Sequence, residues 1–424
     1  MSQPSRTLVF GLNYPPETTG ISPYTGAMAV GLARRDQAVR AIVAHPHYPD
    51  WKISPGYGQW SSRENIDGVV VDRVRHFVPR QPTPLPRALS EVTFGLRQVF
   101  ARWGRPTSII AVSPALLSSA LVRLRALATH RRTPFVVWVQ DLYGVGVVET
   151  NQGRGVAARV IRSIEKWLLM SASTVVVIHE RFADRVHEDF NVPRERIRVV
   201  RNWTHLPPLP SADVRAVREL YGWADDETVV VHTGNMGVKQ GLHHVVEAGR
   251  LAHRQGSAVR FVLVGNGSQR DDLQQRIDDA PTTAEIVPPL DDRSFADILQ
   301  AADILLVNEL PGVAEMAVPS KLTSYFASGR PVLAATDATG ITAQEVHAAS
   351  AGVTVEAGDP AAILSGVHRL ARDPEAATRL GQNGRRYKET VLEETFAIDQ
   401  FATILSLPID GAGGRQHPSP PSAS

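Results

Sequence analysis

Short runs of apolar, β-branched residues alternate along the whole chain with segments whose apolar positions recur three or four residues apart. In the first half, strands are predicted at Thr7–Tyr14, Val39–His45, Val69–Val74, Ser108–Ser113, Phe135–Gln140, Thr174–His179 and Ile197–Arg201. Helical spacing fills Gly26–Arg35, Leu85–Arg102, Val156–Met170 and Arg181–Phe190. Most of the strand runs are apolar throughout rather than alternating. Parallel strands read this way when helices cover both faces of their sheet.

The rhythm breaks at Asn202-Trp203-Thr204-His205-Leu206-Pro207-Pro208-Leu209-Pro210. Three prolines in four residues can neither continue a helix nor sit in a central strand, so this stretch reads as a linker. The βα pattern restarts at Thr228–His232, Arg260–Val264, Glu285–Val287, Ile304–Val307, Pro331–Ala335 and Val353–Val355. The predicted fold class is α/β, with two Rossmann-like, doubly wound parallel-sheet domains. Their boundaries are set at 1–204 and 205–390. A C-terminal helix at 391–410 is expected to pack back toward the first domain, and the Gly/Pro/Ser-rich tail 411–424 to be disordered. Such a plan places loops from the carboxyl ends of both sheets across a cleft, which makes those loops the place to look for chemistry.

Composition narrows that chemistry. The 424 residues include no cysteine, which removes disulfides, a thiolate nucleophile, Cys-zinc sites and iron–sulfur clusters. The formal net charge of +2 hides a segregation. Residues 1–204 carry 27 Lys and Arg against 15 Asp and Glu, a net +12, and the remainder carries −10. The N-terminal apolar run is too short for a signal-peptide core. The uncharged stretch Thr107–Val122 is broken by Pro114 and four serines, and it reads as strand, turn and helix start, not as a membrane span. The expected location is cytoplasmic.

Four loops stand out. Asn13-Tyr14-Pro15-Pro16-Glu17-Thr18-Thr19-Gly20-Ile21 follows the first strand, where Gly20 would let backbone approach a ligand beside a helix N-terminus. His232-Thr233-Gly234-Asn235-Met236-Gly237-Val238-Lys239-Gln240-Gly241 opens the second domain with glycines and a lysine before a helix. That suits a phosphate cradle, although the P-loop signature is absent. Glu315-Met316-Ala317-Val318-Pro319-Ser320-Lys321-Leu322 offers another polarised helix start, closed by Gly329. Asp141 ends an apolar strand in Val139-Gln140-Asp141-Leu142-Tyr143-Gly144 and reads equally as a site acid or a helix cap. Lysine is scarce, five of 45 bases, and two of the five, Lys239 and Lys321, fall in candidate anion loops.

Other features are weaker. Gly265-Asn266-Gly267 is followed by Arg270 where a dinucleotide fingerprint needs a third glycine, so NAD is poorly supported. No Asp-x-Asp occurs in the chain. His45 and His47 are a poor metal pair without a third ligand, and the neighbouring His243 and His244 are expected on different sides of a helix.

With these motifs in order, the chain resembles glycosyltransferase family 4, the retaining GT-B enzymes, from Thr7 to about Leu407. Within it the chain looks like the colanic-acid and exopolysaccharide branch. The segments Gly11–Ile21, Gly234–Leu242, Val318–Thr323, Pro46-His47-Tyr48-Pro49 with Trp51, and Asn202-Trp203 carry that likeness. The resemblance implies a metal-independent hexosyl- or deoxyhexosyl-transferase with no cofactor beyond a nucleoside-diphosphate-sugar donor. The acceptor it implies is a glycan or a polyprenyl-diphosphate-linked saccharide, and no nucleic-acid partner is expected. It implies donor phosphates at Gly20, Asn235, Lys239, Ser320 and Lys321. The donor's nucleoside and sugar are expected at Gly234, Gly265, Asn266, Leu290, Glu315 and Leu322. The acceptor is expected near Thr19, Tyr14, His47 and Tyr143, with Asp141, Lys239 and Glu315 as the catalytic set. The family's usual Glu-x7-Glu falls in register on Met316 and Ser324, so Glu315 stands in for the sugar-contacting acid. Asn235 replaces the usual phosphate-binding Arg. A GT-B nucleotide-sugar epimerase and a non-catalytic nucleotide-sugar binder remain the alternatives. The basic first domain, with Arg87, Arg97, Arg102 and Arg105 along and just beyond a helix, is expected to rest on an anionic membrane surface, peripherally on its inner face.

Overall fold

Two separate sheets account for the strands in the computed structural model, which describes residues 6–18, 20–81, 83–142, 156–203, 211–312 and 321–406. The first is built from β1 Arg6–Gly11, β2 Ala38–Ala44, β3 Ser61–Ile66, β4 Val69–Val74, β5 Ser108–Val112, β6 Phe135–Val139, β7 Thr174–Val177 and β8 Ile197–Val199. Their order is β3-β4-β2-β1-β5-β6-β7-β8, parallel except for β3. The helices of this unit are α1 Ser22–Ala33, α2 Pro84–Phe100, α3 Leu116–Thr129, α4 Val156–Ser171 and α5 Glu180–Phe190.

The edge strand β3 is absent from the sequence prediction. Its Ser61-Ser62-Arg63-Glu64-Asn65-Ile66 is polar because the strand is exposed along one side, so it lacks the apolar run of a covered strand. The missed signal is the two-residue turn Asp67-Gly68, with φ 48° and 88°, which joins β3 to β4 as an antiparallel hairpin. Inside this unit Arg73 is fully buried. It donates to the Ala44 carbonyl at 3.2 Å, pairs with Glu64 and reaches the Pro15 carbonyl, tying together the chain beyond β1 and β2.

The second sheet comprises β9 Thr228–Asn235, β10 Val259–Asn266, β11 Ala284–Val287, β12 Ile304–Asn308, β13 Val332–Ala335 and β14 Gly352–Val355. It is fully parallel, in the order β11-β10-β9-β12-β13-β14. Its strands send alternate residues to two cores. Val229, Val231, Val262, Val264, Leu305 and Val307 enter one, while Val230, Phe261, Leu263, Ile304 and Leu306 enter the other. The helices here are α6 Val214–Tyr221, α7 His243–Arg254, α8 Arg270–Asp279, α9 Asp292–Ala301, α10 Lys321–Ser328, α11 Ile341–Ala348, α12 Pro360–Arg372 and α13 Pro374–Thr390. At the start of α7, the rings of His243 and His244 lie with centroids 3.9 Å apart, tilted at 45°, which corrects the expectation that they diverge.

Contacts divide the chain into one unit of Met1–Arg201 with the chain from Ala397 onward, and a second of Asn202–Phe396. The last helix, α14 Glu394–Ser406, packs Phe401 on Trp138 in the first unit, with ring centroids 4.7 Å apart. Arg35 binds Asp399 at 2.7 Å in the same unit. The tail 411–424 and most of the proline linker lie outside the described residues.

Candidate functional site

In the second sheet the strand order reverses at β9, which lies between β10 and β12. Doubly wound sheets bind ligands outside the carboxyl ends of the strands at such a point. There β9 and β10 stay paired through Gly234 with Gly265 and Asn235 with Asn266, three residues beyond the predicted end of β9. Two glycines permit the pairing. Gly265 has φ 142° and Gly234 φ 112°, and a Cβ on Gly265 would meet the Gly234 carbonyl oxygen at 2.0 Å. The result is an exposed ledge of Gly234, Asn235 and Asn266.

The turn that follows is fastened to the end of β12. Gly237 N–H donates to Gln240 Oε1 at 3.1 Å, and Gly241 turns the chain with φ 55°. Asn308 Nδ2 donates to the Gln240 and Gly241 carbonyls at 2.7 and 3.1 Å, and Leu310 N–H to the Lys239 carbonyl at 2.9 Å. Lys239 is thereby carried, exposed, on a backbone held at both ends.

Lys321, the first residue of α10, brings a second lysine amine to the same ledge. Its Nζ lies 3.1 Å from His232 Nε2 and 3.7 Å from where a Cβ on Gly234 would be. Burial pulls the amine down to about 7, against the attraction of Glu309. One turn on, Tyr325 OH accepts from Thr233 N–H at 2.9 Å and donates to the Leu306 carbonyl at 3.3 Å, docking α10 on β9 and β12. Glu309 accepts from Thr342 Oγ1 at 2.6 Å and from Thr336 Oγ1. Beside it a 480 Å³ cavity opens at the ends of β13 and β14, lined by Thr336, Asp337, Thr354 and Glu356.

In the first sheet the order reverses at β1, between β2 and β5. Glu17 organises the loops there. Its Oε1 accepts from His47 N–H at 2.7 Å and Tyr48 N–H at 2.8 Å, and its Oε2 from Asn13 Nδ2 at 2.9 Å. The His47 ring lies 5.1 Å from that of His76, which is buried with neither nitrogen hydrogen-bonded and is pushed down to about 3 by desolvation. Gly20 is exposed with φ 65°, against the edge of Tyr48. Asp141 is exposed just past β6, its carbonyl accepting from Ser113 Oγ at 3.1 Å.

Placement separates the predicted residues. Gly20, Asn235, Lys239, Gly234, Asn266 and Asp141 are exposed at carboxyl strand ends, and half-buried Lys321 joins the ledge. Gly265 is buried and acts through backbone geometry, while Leu290 is half-buried against the core. Three expectations are corrected. Leu322 is fully buried among the core side chains of the second unit, so it presents no surface to a nucleoside. Tyr14 and His47 are also buried, and they shape the loops around Glu17 without an exposed face for an acceptor. Thr19, Tyr143, Glu315 and Ser320 lie outside the described residues. Sequence reasoning gave no role to Glu17, His232, Asn308 or Glu309. Glu17 and His232 stand inside candidate loops, but His47 and Lys321, which give them their roles, are 30 and 89 residues away.

Comparison with known proteins follows the same division. Residues 19–203 match the family described as "Glycosyl transferase 4-like domain", and residues 227–373 match "Glycosyl transferases group 1". The chain is similar to the Escherichia coli (strain K12) protein named as a colanic acid biosynthesis glycosyl transferase, WcaI. They are 29% identical over 412 residues, covering 93% of this chain and 98% of the relative. It is also 25% identical over 301 residues to the Pseudomonas aeruginosa protein WbjE, covering 69% of this chain and 72% of the relative. Among solved structures, HepE of Anabaena in complex with UDP superposes with a TM-score of 0.68 at 15% identity, covering 95% of this chain and 99% of that one. Sucrose-phosphate synthase of Thermosynechococcus elongatus does so with 0.65 at 18% identity, covering 94% and 98%. At such identities the structural likeness is one of fold, GT-B.

Proposed function

We propose, for a chain that belongs to the glycosyl transferases with a 4-like domain followed by a group 1 domain, that it moves a sugar from a nucleoside-diphosphate-sugar to a cell-surface glycan acceptor. The observation that carries the reading is the ledge at Gly234 and Gly265 with Lys321 Nζ set against it. A sugar nucleotide's reacting end is a diphosphate, and bare backbone beside the Lys321 amine suits an anion that must come close.

The chemistry follows from the leaving group. A departing nucleoside diphosphate is a polyanion, and Lys239, Lys321 and the N–H groups of the turn are the donors placed to meet its charge. Loss of the bond to the anomeric carbon leaves oxocarbenium-like character on the sugar. We assign a retaining course, in which the departing phosphate takes the acceptor hydroxyl proton on the same face. Asp141 then orients the acceptor. The similarity to a protein named for colanic acid biosynthesis supports an exopolysaccharide or O-antigen setting and a polyprenyl-diphosphate-linked saccharide as acceptor.

Peripheral membrane contact belongs to the same reading. Along α2, Leu85, Leu89, Leu96 and Phe100 are exposed at spacings that place them on one face, and Arg102 and Arg105 are exposed just beyond. Arg87 and Arg97 serve the fold instead: Arg87 lies over Trp51, and Arg97 over Trp60 while donating to Ser61 Oγ at 2.8 Å. No helix among the described residues is long and apolar enough to cross a membrane.

A thermal-shift series with UDP-, GDP- and dTDP-hexoses tests the donor. A ligand at a hundred times its Kd stabilises by about 2.7 kcal/mol, and one of the three is expected to do so. Slow release of the nucleoside diphosphate without acceptor supports transfer. Tight binding without any turnover leaves a binding protein and overturns the proposal.

A further inference from the structure

His232 is fully buried, two residues before the exposed ledge, and its imidazole bridges two elements. Nδ1 lies 3.1 Å from the Leu306 carbonyl on β12, and Nε2 lies 3.1 Å from Lys321 Nζ at the start of α10. A carbonyl can only accept, so Nδ1 carries the proton and Nε2 is left as an acceptor. Lys321 must therefore donate to it. The same Leu306 carbonyl takes the Tyr325 hydroxyl, so one backbone oxygen fixes both the ring and the helix that bears the lysine.

Resting on the donor-site reading above, we propose that His232 is a positioning residue for Lys321. The neutral imidazole pins the amine beside Gly234, and Lys321 takes up a proton as the donor diphosphate arrives. The groups facing Lys321 among the described residues explain why the proton waits for the ligand. From β9 comes His232, which burial keeps well below its usual range and which therefore stays uncharged. Beyond β12 comes Glu309, an attraction too weak to offset desolvation, and on the helix itself Tyr325, whose hydroxyl is engaged. Burial thus holds the amine near 7 in the empty site. A phosphate oxygen supplies the missing counter-charge and favours the ammonium. The proton comes from solvent onto Nζ and no covalent bond is made or broken. The charge is in place before the nucleoside diphosphate departs.

Titration calorimetry of the full chain tests this with UDP-glucose, GDP-mannose and dTDP-glucose, whose diphosphate diesters have no titrating proton between about pH 6 and 9. Run near pH 8 in two buffers of different ionisation enthalpy, the wild type should take up close to one proton per nucleotide sugar bound. Lys321→Met should abolish that uptake. His232→Leu should weaken binding about tenfold, and His232→Gln, whose Oε1 reaches the Nε2 position, should restore most of it. The His232→Leu/Lys321→Met double variant should bind no more weakly than Lys321→Met alone. Should His232→Leu fail to fold, His232→Asn carries the same expectation, because it can bond Leu306 but not reach Lys321. Wild-type affinity in His232→Leu or His232→Asn, additive losses, or binding without proton uptake each overturn the proposal. Failure of all three sugars to bind overturns the donor site itself.

Discussion

The carbonyl oxygen of Gly234 lies 2.0 Å from the point a Cβ on Gly265 would occupy, so the paired ends of β9 and β10 have no room for a methyl group. Gly265 also sits at φ 142°, where side chains are strained.

Gly265→Ala should therefore force the two strand ends apart. A loss of at least about 2 kcal/mol in unfolding free energy is expected, with loss of the nucleotide-sugar thermal shift. A variant that unfolds and binds like the wild type would show that the ledge is not required.

Lys239 stands exposed on a turn held by Asn308, so its removal should leave the fold intact. Turnover in Lys239→Ala is expected to fall at least ~100-fold, as when one oxyanion-type donor is removed. Near-normal turnover would take this lysine out of the mechanism.

Glu91 is buried on α2, accepts the Leu117 N–H at 2.9 Å, and has its carboxyl pushed up to about 7 by desolvation. Its folded value lies above the unfolded one, so the native state holds more protons between about pH 4.5 and 7, and stability falls as pH rises through that window. Glu91→Gln keeps the acceptor and cannot ionise. Denaturant unfolding should show it more stable than the wild type at pH 8, by up to about 3 kcal/mol, and equal to it near pH 4. Equal stability at both pH values would mean that Glu91 ionises without cost.

Phe401 meets Trp138 edge-on, and both are fully buried. Phe401→Ala should cost about 3–5 kcal/mol in urea unfolding, the range for emptying an aromatic site. A loss under about 1 kcal/mol would show that α14 is not part of that core.

Phe100 is 83% exposed and Leu85 81%, so Asp at both should change stability little. Co-sedimentation with anionic vesicles should drop severalfold in that double variant if α2 is the contact face. Unchanged sedimentation would move the contact elsewhere.

Much of the fold is legible because a covered parallel strand announces itself locally. Val136-Val137-Trp138 and Val229-Val230-Val231 are apolar without interruption, as burial on both faces demands. The edge strand β3 escapes because one exposed side removes that pattern, leaving only the Asp67-Gly68 turn as a trace. The start of α1 escapes for a different reason. Its Ser22–Ala33 is made of small and apolar residues on every face, so no helical stripe marks where it begins.

The sequence by itself determined the two βα series and the glycine and lysine loops at strand ends, because each is set by spacing and by local backbone preference. Only the tertiary structure decided which loops share a site. The order β10-β9-β12 pairs Gly265 with Gly234 and lets Asn308 hold the turn that follows β9, and the docking of α10 by Tyr325 then delivers Lys321 to His232. The loop that begins at His232 is visible in the chain, but nothing there says what the imidazole itself does. Its role depends on a partner 89 residues away, and that pairing is fixed by how the strands and helices pack together.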